Sequence, residues 1–170
     1  MNKVRRLTTD AVLAAAALLL FIVEAQIPPL TAIPGIKIGL ANTVTLIAVY
    51  LCGKKDAAAV LFVRIILGAI FAGNFSTFLY SASGGILCCI ITCVLSGILS
   101  KQIWVVSIFG AIAHNIGQLL AASVLLQTVS VFWYLPYLLL TAILSGAFTG
   151  ICAAFLIHRL QKIQGSENRS

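Results

Sequence analysis

The chain has 170 residues, of which 61% are hydrophobic and 9% are charged. A typical soluble domain carries about 25% charged residues, so this composition excludes an ordinary soluble protein and indicates a lipid bilayer as the partner. The formal net charge of +7 would suggest nucleic acid for a soluble protein. In a membrane protein the position of each charge matters more, and we expect no nucleic acid.

Apolar runs predict an all-α integral membrane protein with six membrane-spanning helices. A crossing needs about 20 apolar residues, so the chain holds about six helices and no second domain. The predicted spans are Ala11 to Ile27, Ile36 to Cys52, Ala57 to Gly73, Thr77 to Leu99, Ile103 to Gln127 and Tyr134 to Ile157. Residues 1–160 are thus a single six-helix domain in this prediction, and residues 161–170 form a polar, disordered tail.

The basic residues sort by loop. Nine of the eleven Lys and Arg residues fall on one side of the predicted bundle: Lys3, Arg5, Arg6, Lys54, Lys55, Lys101, Arg159, Lys162 and Arg169. The connections on the other side, residues 28–35, 74–76 and 128–133, contain no Lys or Arg. The positive-inside rule therefore predicts a multi-pass cell-membrane protein with both termini in the cytoplasm.

The N-terminal segment has a second interpretation as a cleavable signal peptide. Its basic start, the apolar run from Ala11 to Val23 and the tripeptide Val23-Glu24-Ala25 resemble the three regions of such a peptide. Cleavage would remove the first helix and put the basic loops on alternate sides of the membrane. Retention of the helix is the simpler interpretation.

The sequence offers little for ATP or metal chemistry. It contains no G-x-x-x-x-G-K-[ST] phosphate loop, so another subunit must hydrolyse any ATP that is used. The five cysteines lie in or beside apolar spans without a C-x-x-C pair, which favours a role as small apolar filler. We therefore expect no metal site, no cofactor and no disulfide framework.

Three ionisable residues, Glu24, Lys37 and Arg64, fall within the apolar spans. An ionisable group at the centre of a span costs at least about 2.5 to 3.5 kcal/mol, so it normally faces a polar interior, a partner or water. Two basic groups against one acid favour an anionic or electron-rich small-molecule ligand. The structural alternatives are that Lys37 snorkels to the headgroups and that Glu24 only forms an ion pair. For Arg64, which lies near mid-span, a purely structural explanation is the least favoured of the three.

Neutral polar residues extend this candidate ligand-binding set. They are Asn42, Asn74, His114, Asn115 and Gln118, of which His114 and Gln118 share one helical face at spacing i, i+4. Such side chains either bond across helices as structural links or donate hydrogen bonds to a ligand.

Ala11 and Ala15 make a small-x-x-x-small strip on the first helix, on which another helix can pack closely. The strip could meet the last helix, where Gly146 and Gly150 repeat the spacing, or it could dock a partner. The sequence leaves both alternatives open.

Four motifs of the chain are informative in combination: Pro34-Gly35-Ile36-Lys37-Ile38-Gly39-Leu40-Ala41-Asn42, Arg64-Ile65-Ile66-Leu67-Gly68, Gly84-Gly85 and His114-Asn115-Ile116-Gly117-Gln118. With them the chain resembles a bacterial membrane family called heptaprenyl diphosphate synthase component I, or the Gx transporter family. The resemblance runs from the first helix to the last. The family in turn is similar to the substrate-binding S components of energy-coupling factor (ECF) transporters, which are six-helix membrane proteins.

The similarity to S components implies a small-molecule-binding transport subunit without its own ATPase, and this is the interpretation we favour from the sequence. Its partners would be a transmembrane coupling subunit, docked through Ala11 and Ala15, and separate ATPases. Lys37, Asn42, Arg64 and Asn74 would hold the ligand.

The synthase name implies a different role, in the synthesis of heptaprenyl diphosphate or the menaquinone side chain. Mg²⁺ bound to diphosphate needs several carboxylate oxygens, and this chain has only two isolated aspartates, Asp10 and Asp56. It should therefore not catalyse chain elongation by itself. It would be a noncatalytic membrane component that binds a soluble synthase through Lys54, Lys55 and the C-terminal tail.

Overall fold

The computed structural model of the protein describes residues 3–26 and 39–167, and these residues form helices and turns without a β-strand. The helices follow in the order α1 (Lys3–Gln26), α2 (Asn42–Leu51), α3 (Lys54–Ala72), α4 (Phe75–Ile98), α5 (Ile103–Leu126) and α6 (Leu135–Glu167). A short 3-10 helix, Val129–Tyr134, leads into α6. The all-helical class is confirmed.

Among the described residues, four helical segments are long and apolar enough to cross a bilayer. They are α1, α4, α5 and Val129–Lys162, which contains most of α6. Of the other two helices, α2 has only 10 residues and α3 carries Lys54, Lys55, Asp56 and Arg64. These lengths and compositions are those of a membrane protein.

Two helices extend beyond the apolar runs that predicted them. α1 begins at Lys3 rather than Ala11. In this added part, the hydroxyls of Thr8 and Thr9 donate hydrogen bonds to backbone carbonyl oxygens one turn earlier in the helix. α6 continues to Glu167, so helix replaces most of the disordered tail predicted from residue 161. A helix does not need apolar side chains once it leaves the membrane, and Leu, Gln and Lys all favour it.

α2 begins later than predicted. The sequence predicted a helix from Ile36, whereas residues 39–41 form a turn and the helix starts at Asn42. Gly39 has a φ of 87°, a left-handed conformation that glycine adopts without strain and that cannot continue a helix.

Small residues let α5 pack closely on both α4 and α6. A Cβ on Gly117 would lie 2.6 Å from the carbonyl oxygen of Ser83, and one on Gly150 would lie 2.7 Å from the Cα of Trp104. Gly146 likewise packs on α5, against Ile108. The glycines of α6 therefore serve the contact with α5.

α1 packs on α2 and α3 and makes no packing contact with α6 within the described ranges. The possibility that Ala11 and Ala15 meet α6 is therefore wrong, and both alanines are exposed. Between α1 and α6 lies an apolar groove of about 510 Å³, whose floor is formed by Val44 and Ile47 of α2.

The two ends of the bundle differ in charge. At one end, Ile47, Ile103 and Ile157 form an apolar cluster that joins the C-terminal parts of α2 and α6 to the start of α5. We call this the basic end, because its exposed residues include Lys3, Arg5, Lys54, Lys55, Lys101, Arg159 and Lys162. The described connections at the other end, residues 73–74 and 127–134, contain no Lys or Arg.

Candidate ligand-binding site

Arg64 forms the centre of a buried polar cluster. Its side chain lies in the middle of α3 and is 2% exposed. Nη1 donates to Oγ of Ser81 on α4 at 2.8 Å, and Nη2 donates to Oδ1 of Asn42 on α2 at 2.6 Å. One guanidinium thus connects three helices, and both of these hydrogen-bond acceptors are neutral.

The Glu24 side chain, on α1, binds the backbone just before α2. Its side chain is 5% exposed, and its carboxylate accepts hydrogen bonds from the backbone N–H groups of Gly39, at 2.5 Å, and Leu40, at 3.1 Å. The first N–H groups of a helix have no partner within the helix, and the helix dipole favours a negative charge beside them. The carboxylate from α1 therefore caps the turn that leads into α2.

His114 lies in a slot between two glycines. An added Cβ would lie 2.8 Å from the ring's Cδ2 if placed on Gly39 and 2.6 Å from Nδ1 if placed on Gly84. The side chain is 3% exposed, and neither ring nitrogen has a partner with hydrogen-bonding geometry in the described part of the chain. Gln118, one turn along α5, is 1% exposed.

These side chains surround a small polar cavity of about 10 Å³. Its lining includes Glu24, Asn42, Arg64, Ser81, His114 and Gln118. Such a volume holds about one water molecule. A second cavity of about 20 Å³ shares Gly39 and Asn42 with the first and is also lined by hydroxyl groups. Neither cavity has room for a small organic ligand, which would require side chains to move.

The structure thus brings five of the predicted ligand-binding residues together: Glu24, Asn42, Arg64, His114 and Gln118. Asn74 lies elsewhere, because it is exposed and caps α4, where its Oδ1 accepts from the N–H of Thr77 at 2.7 Å. Lys37 and the predicted loop at residues 28–35 lie outside the described residues.

Asn115 has a structural role within the predicted cluster on α5. Its side-chain amide donates to the carbonyl oxygen of Leu138 at 2.9 Å, which links α5 to α6. The interpretation of such amides as links between helices applies to this residue.

Sequence reasoning missed Ser81 and Thr77, which line the cavity from α4. Ser81 is one of several hydroxyl residues in the first half of α4, and the sequence carries no signal that distinguishes it. The pair Gly84-Gly85 was noticed only as a motif, yet Gly84 makes room for the ring of His114.

In the part of the chain that the structure describes, no group of three or more His, Cys, Asp and Glu side chains lies close enough together to hold a metal ion.

Comparison with protein-family models gives a match. A protein-family model described as heptaprenyl diphosphate synthase component I matches residues 13–156, which include every described residue of the cluster. No curated protein and no solved structure matches the chain.

Proposed function

The chain belongs to the heptaprenyl diphosphate synthase component I family, and we propose that it is the noncatalytic, membrane-embedded component of a prenyl diphosphate synthase. The bundle lies in the cell membrane with both termini in the cytoplasm. A separate, soluble subunit carries out chain elongation for heptaprenyl diphosphate or the menaquinone side chain.

The acid content of the chain supports a noncatalytic role. Elongation of a prenyl diphosphate needs Mg²⁺ held by several carboxylates, and the chain has only four acidic residues in total. Of its two aspartates, Asp56 is already bound to the guanidinium of Arg6. Catalysis therefore belongs to the partner subunit.

The observation that carries this proposal is the basic end, where Lys54 and Lys55 are exposed at the start of α3. A soluble subunit with a complementary acidic face would be attracted to this surface and held in register by it. Each added isoprene unit makes the product more apolar, and the free energy gained by burying hydrocarbon in the bilayer grows with its area. A synthase that is held at the membrane can release its product directly into the bilayer.

The test is copurification of the soluble synthase subunit from the same organism with the membrane protein in detergent. The double variant Lys54→Glu/Lys55→Glu should recover less synthase than wild type, and added salt should weaken the binding of wild type. The matched variant Lys54→Arg/Lys55→Arg keeps both charges and should bind like wild type. Equal recovery with the Glu variant, or no recovery with wild type, contradicts the proposal.

A second candidate is the small-molecule-binding subunit of an ECF-type uptake transporter. The observation that favours it is the exposure of Ala11 and Ala15 on α1, which leaves the small-residue strip open to a coupling subunit. The buried cluster around Arg64 would bind an anionic or polar ligand, joined by Lys37 and Asn74 as the sequence predicts. Separate ATPases would supply the energy.

The two candidates differ in the partner that copurifies from native membranes. The transport candidate expects a coupling subunit and ATPases with wild type, and their loss with Ala15→Leu, because a large side chain prevents close helix contact. Val12→Leu, at an exposed neighbouring position that is already large, should retain them. Recovery of a synthase without ATPases would exclude the transport candidate.

A further inference from the structure

The start of α2 lies deep inside the bundle rather than at a membrane surface. α2 has 10 residues and ends at Leu51, close to the basic end. Such a helix is about 15 Å long, half of a hydrocarbon core of about 30 Å. The N–H groups of Gly39 and Leu40 therefore lie near the middle of the membrane. Short helices that begin there in other membrane proteins direct their positive ends at anionic groups.

An oxyanion already occupies this position, and it belongs to the chain itself. The carboxylate of Glu24 accepts hydrogen bonds from both N–H groups, as a bound ligand would. Glu24 comes from the last turns of α1, the helix that packs only on α2 and α3 among the described elements. The carboxylate is therefore carried by an element with few neighbours.

A second, independent observation points to a ligand at the same cavity. His114 is 3% exposed and lines the cavity, yet neither of its ring nitrogens has a hydrogen-bond partner in the described part of the chain. Nε of Arg64, in a side chain that is 2% exposed, also has no partner there. Buried polar atoms normally have partners, so these atoms are available to an added group.

We propose that Glu24 is an internal occupant of an oxyanion site, and that a carboxylate or phosphate group of a ligand replaces it. The site consists of the N–H groups of Gly39 and Leu40, the guanidinium of Arg64 and the ring of His114. This inference rests on the ligand-binding role proposed above for the cluster. Replacement of one anion by another keeps a negative charge in the cavity that Arg64 lines, and movement of the Glu24 side chain frees space that the small cavity lacks.

Removal of the internal carboxylate should strengthen oxyanion binding. When a protein's own group occupies a site for more than nine-tenths of the time, the apparent affinity of a ligand is reduced about tenfold or more. Glu24→Ala removes the occupant and leaves both N–H groups without an acceptor. We therefore expect an apparent Kd for a small oxyanion that is about tenfold or more below that of wild type.

The experiment measures the thermal unfolding midpoint of the full chain in detergent against increasing acetate, inorganic phosphate and pyrophosphate, with chloride at matched ionic strength. Glu24→Ala should gain stability from at least one of the first three anions at lower concentration than wild type. A gain from acetate alone indicates a carboxylate ligand, and a gain from phosphate or pyrophosphate indicates a phosphate ligand. The double variant Glu24→Ala/Arg64→Gln should lose the gain.

The matched control is Asp56→Asn, which removes one acidic group at the basic end and should respond to the anions like wild type. Equal responses of Glu24→Ala and Asp56→Asn overturn the proposal. A Glu24→Ala chain that folds neither with nor without these anions also overturns it, because the role of Glu24 is then structural. If wild type binds a ligand that depends on Arg64 but Glu24→Ala shows no gain, the ligand-binding role stands and the internal occupant is wrong.

Discussion

Gly84 determines where the ring of His114 can lie. A Cβ at this position would come within 2.6 Å of Nδ1 of His114 and 2.9 Å of Cγ of Gln118. Gly84→Ala should displace both side chains and lower the free energy of unfolding by about 1 to 3 kcal/mol, the usual cost of overpacking. Thermal or denaturant unfolding in one fixed detergent measures the change.

Gly97, on the same helix, provides the control. Its added Cβ would meet only Nζ of Lys54, at an ordinary contact distance of 3.6 Å. Gly97→Ala should therefore raise the free energy of unfolding by about 0.5 to 1 kcal/mol, because alanine favours a helix more than glycine does. Equal effects of the two substitutions would contradict the packing described around His114.

Ser81 and Ser83 make a second matched pair on α4. The hydroxyl of Ser81 accepts from the buried guanidinium of Arg64, whereas that of Ser83 donates to the carbonyl oxygen of Leu79 in its own helix. Ser81→Ala should cost about 1.5 to 3 kcal/mol, the range for hydrogen bonds to charged groups. Ser83→Ala should change the free energy of unfolding by less than about 0.5 kcal/mol, as most substitutions away from such features do. Unfolding measurements that reverse this order would contradict the bond.

For individual side chains, the sequence identified the charged and amide residues of the site better than it identified their hydrogen-bond partners. Arg64 and Glu24 were recognisable because a charge in an apolar run is rare and costly. Ser81 was not, because hydroxyl residues are common in α4 and only the fold decides which one faces Arg64. Asn74 was placed in the site although an Asn immediately before a helix is a common N-cap, a signal that local sequence does carry.

An ion pair joins two helices at the basic end. Nε of Arg6 on α1 donates to Oδ2 of Asp56 on α3 at 2.7 Å, and a second bond joins Nη2 to Oδ1. Hydrogen bonding to Arg6, reinforced by its charge, lowers the pKa of the Asp56 carboxyl. The pair lies before the apolar part of each helix, outside the membrane-spanning segments.

This ion pair predicts a pH dependence of the contact between α1 and α3. Because the folded state holds the pKa of Asp56 below its ordinary value of about 4, the pair stabilises the fold above that pH and stops doing so as the pH falls through the lowered pKa. Asp56→Asn should therefore lower the unfolding midpoint at pH 7, and the difference from wild type should shrink towards pH 3. A difference that stays constant over this range would contradict the prediction.

The order of the helices was predictable, but some of their ends were not. Six apolar runs indicated α1 to α6 in sequence, because apolar length is what a bilayer selects. The start of α2 depends on a bond between Gly39 and Glu24, which are far apart in the chain. The end of α6 lies among polar residues, where hydrophobic periodicity gives no signal.

For the whole molecule, the one-sided distribution of charge predicts its orientation. The basic end should face the cytoplasm, because exposed Lys and Arg are retained on that side. A fluorescent protein fused to the C-terminus should fluoresce, and alkaline phosphatase fused at the same place should be inactive. Active phosphatase and a dark fluorescent protein would contradict this orientation.

The groove between α1 and α6 links the stability of the protein to the lipid around it. Its floor, Val44 and Ile47, belongs to the short central helix, and we expect the hydrocarbon chains of lipid to fill the groove in a membrane. The attachment of α1 then depends on the length and saturation of those chains as well as on protein contacts. A short-chain detergent replaces this layer poorly, so the measured stability of the protein belongs to a particular lipid environment and not to the polypeptide alone.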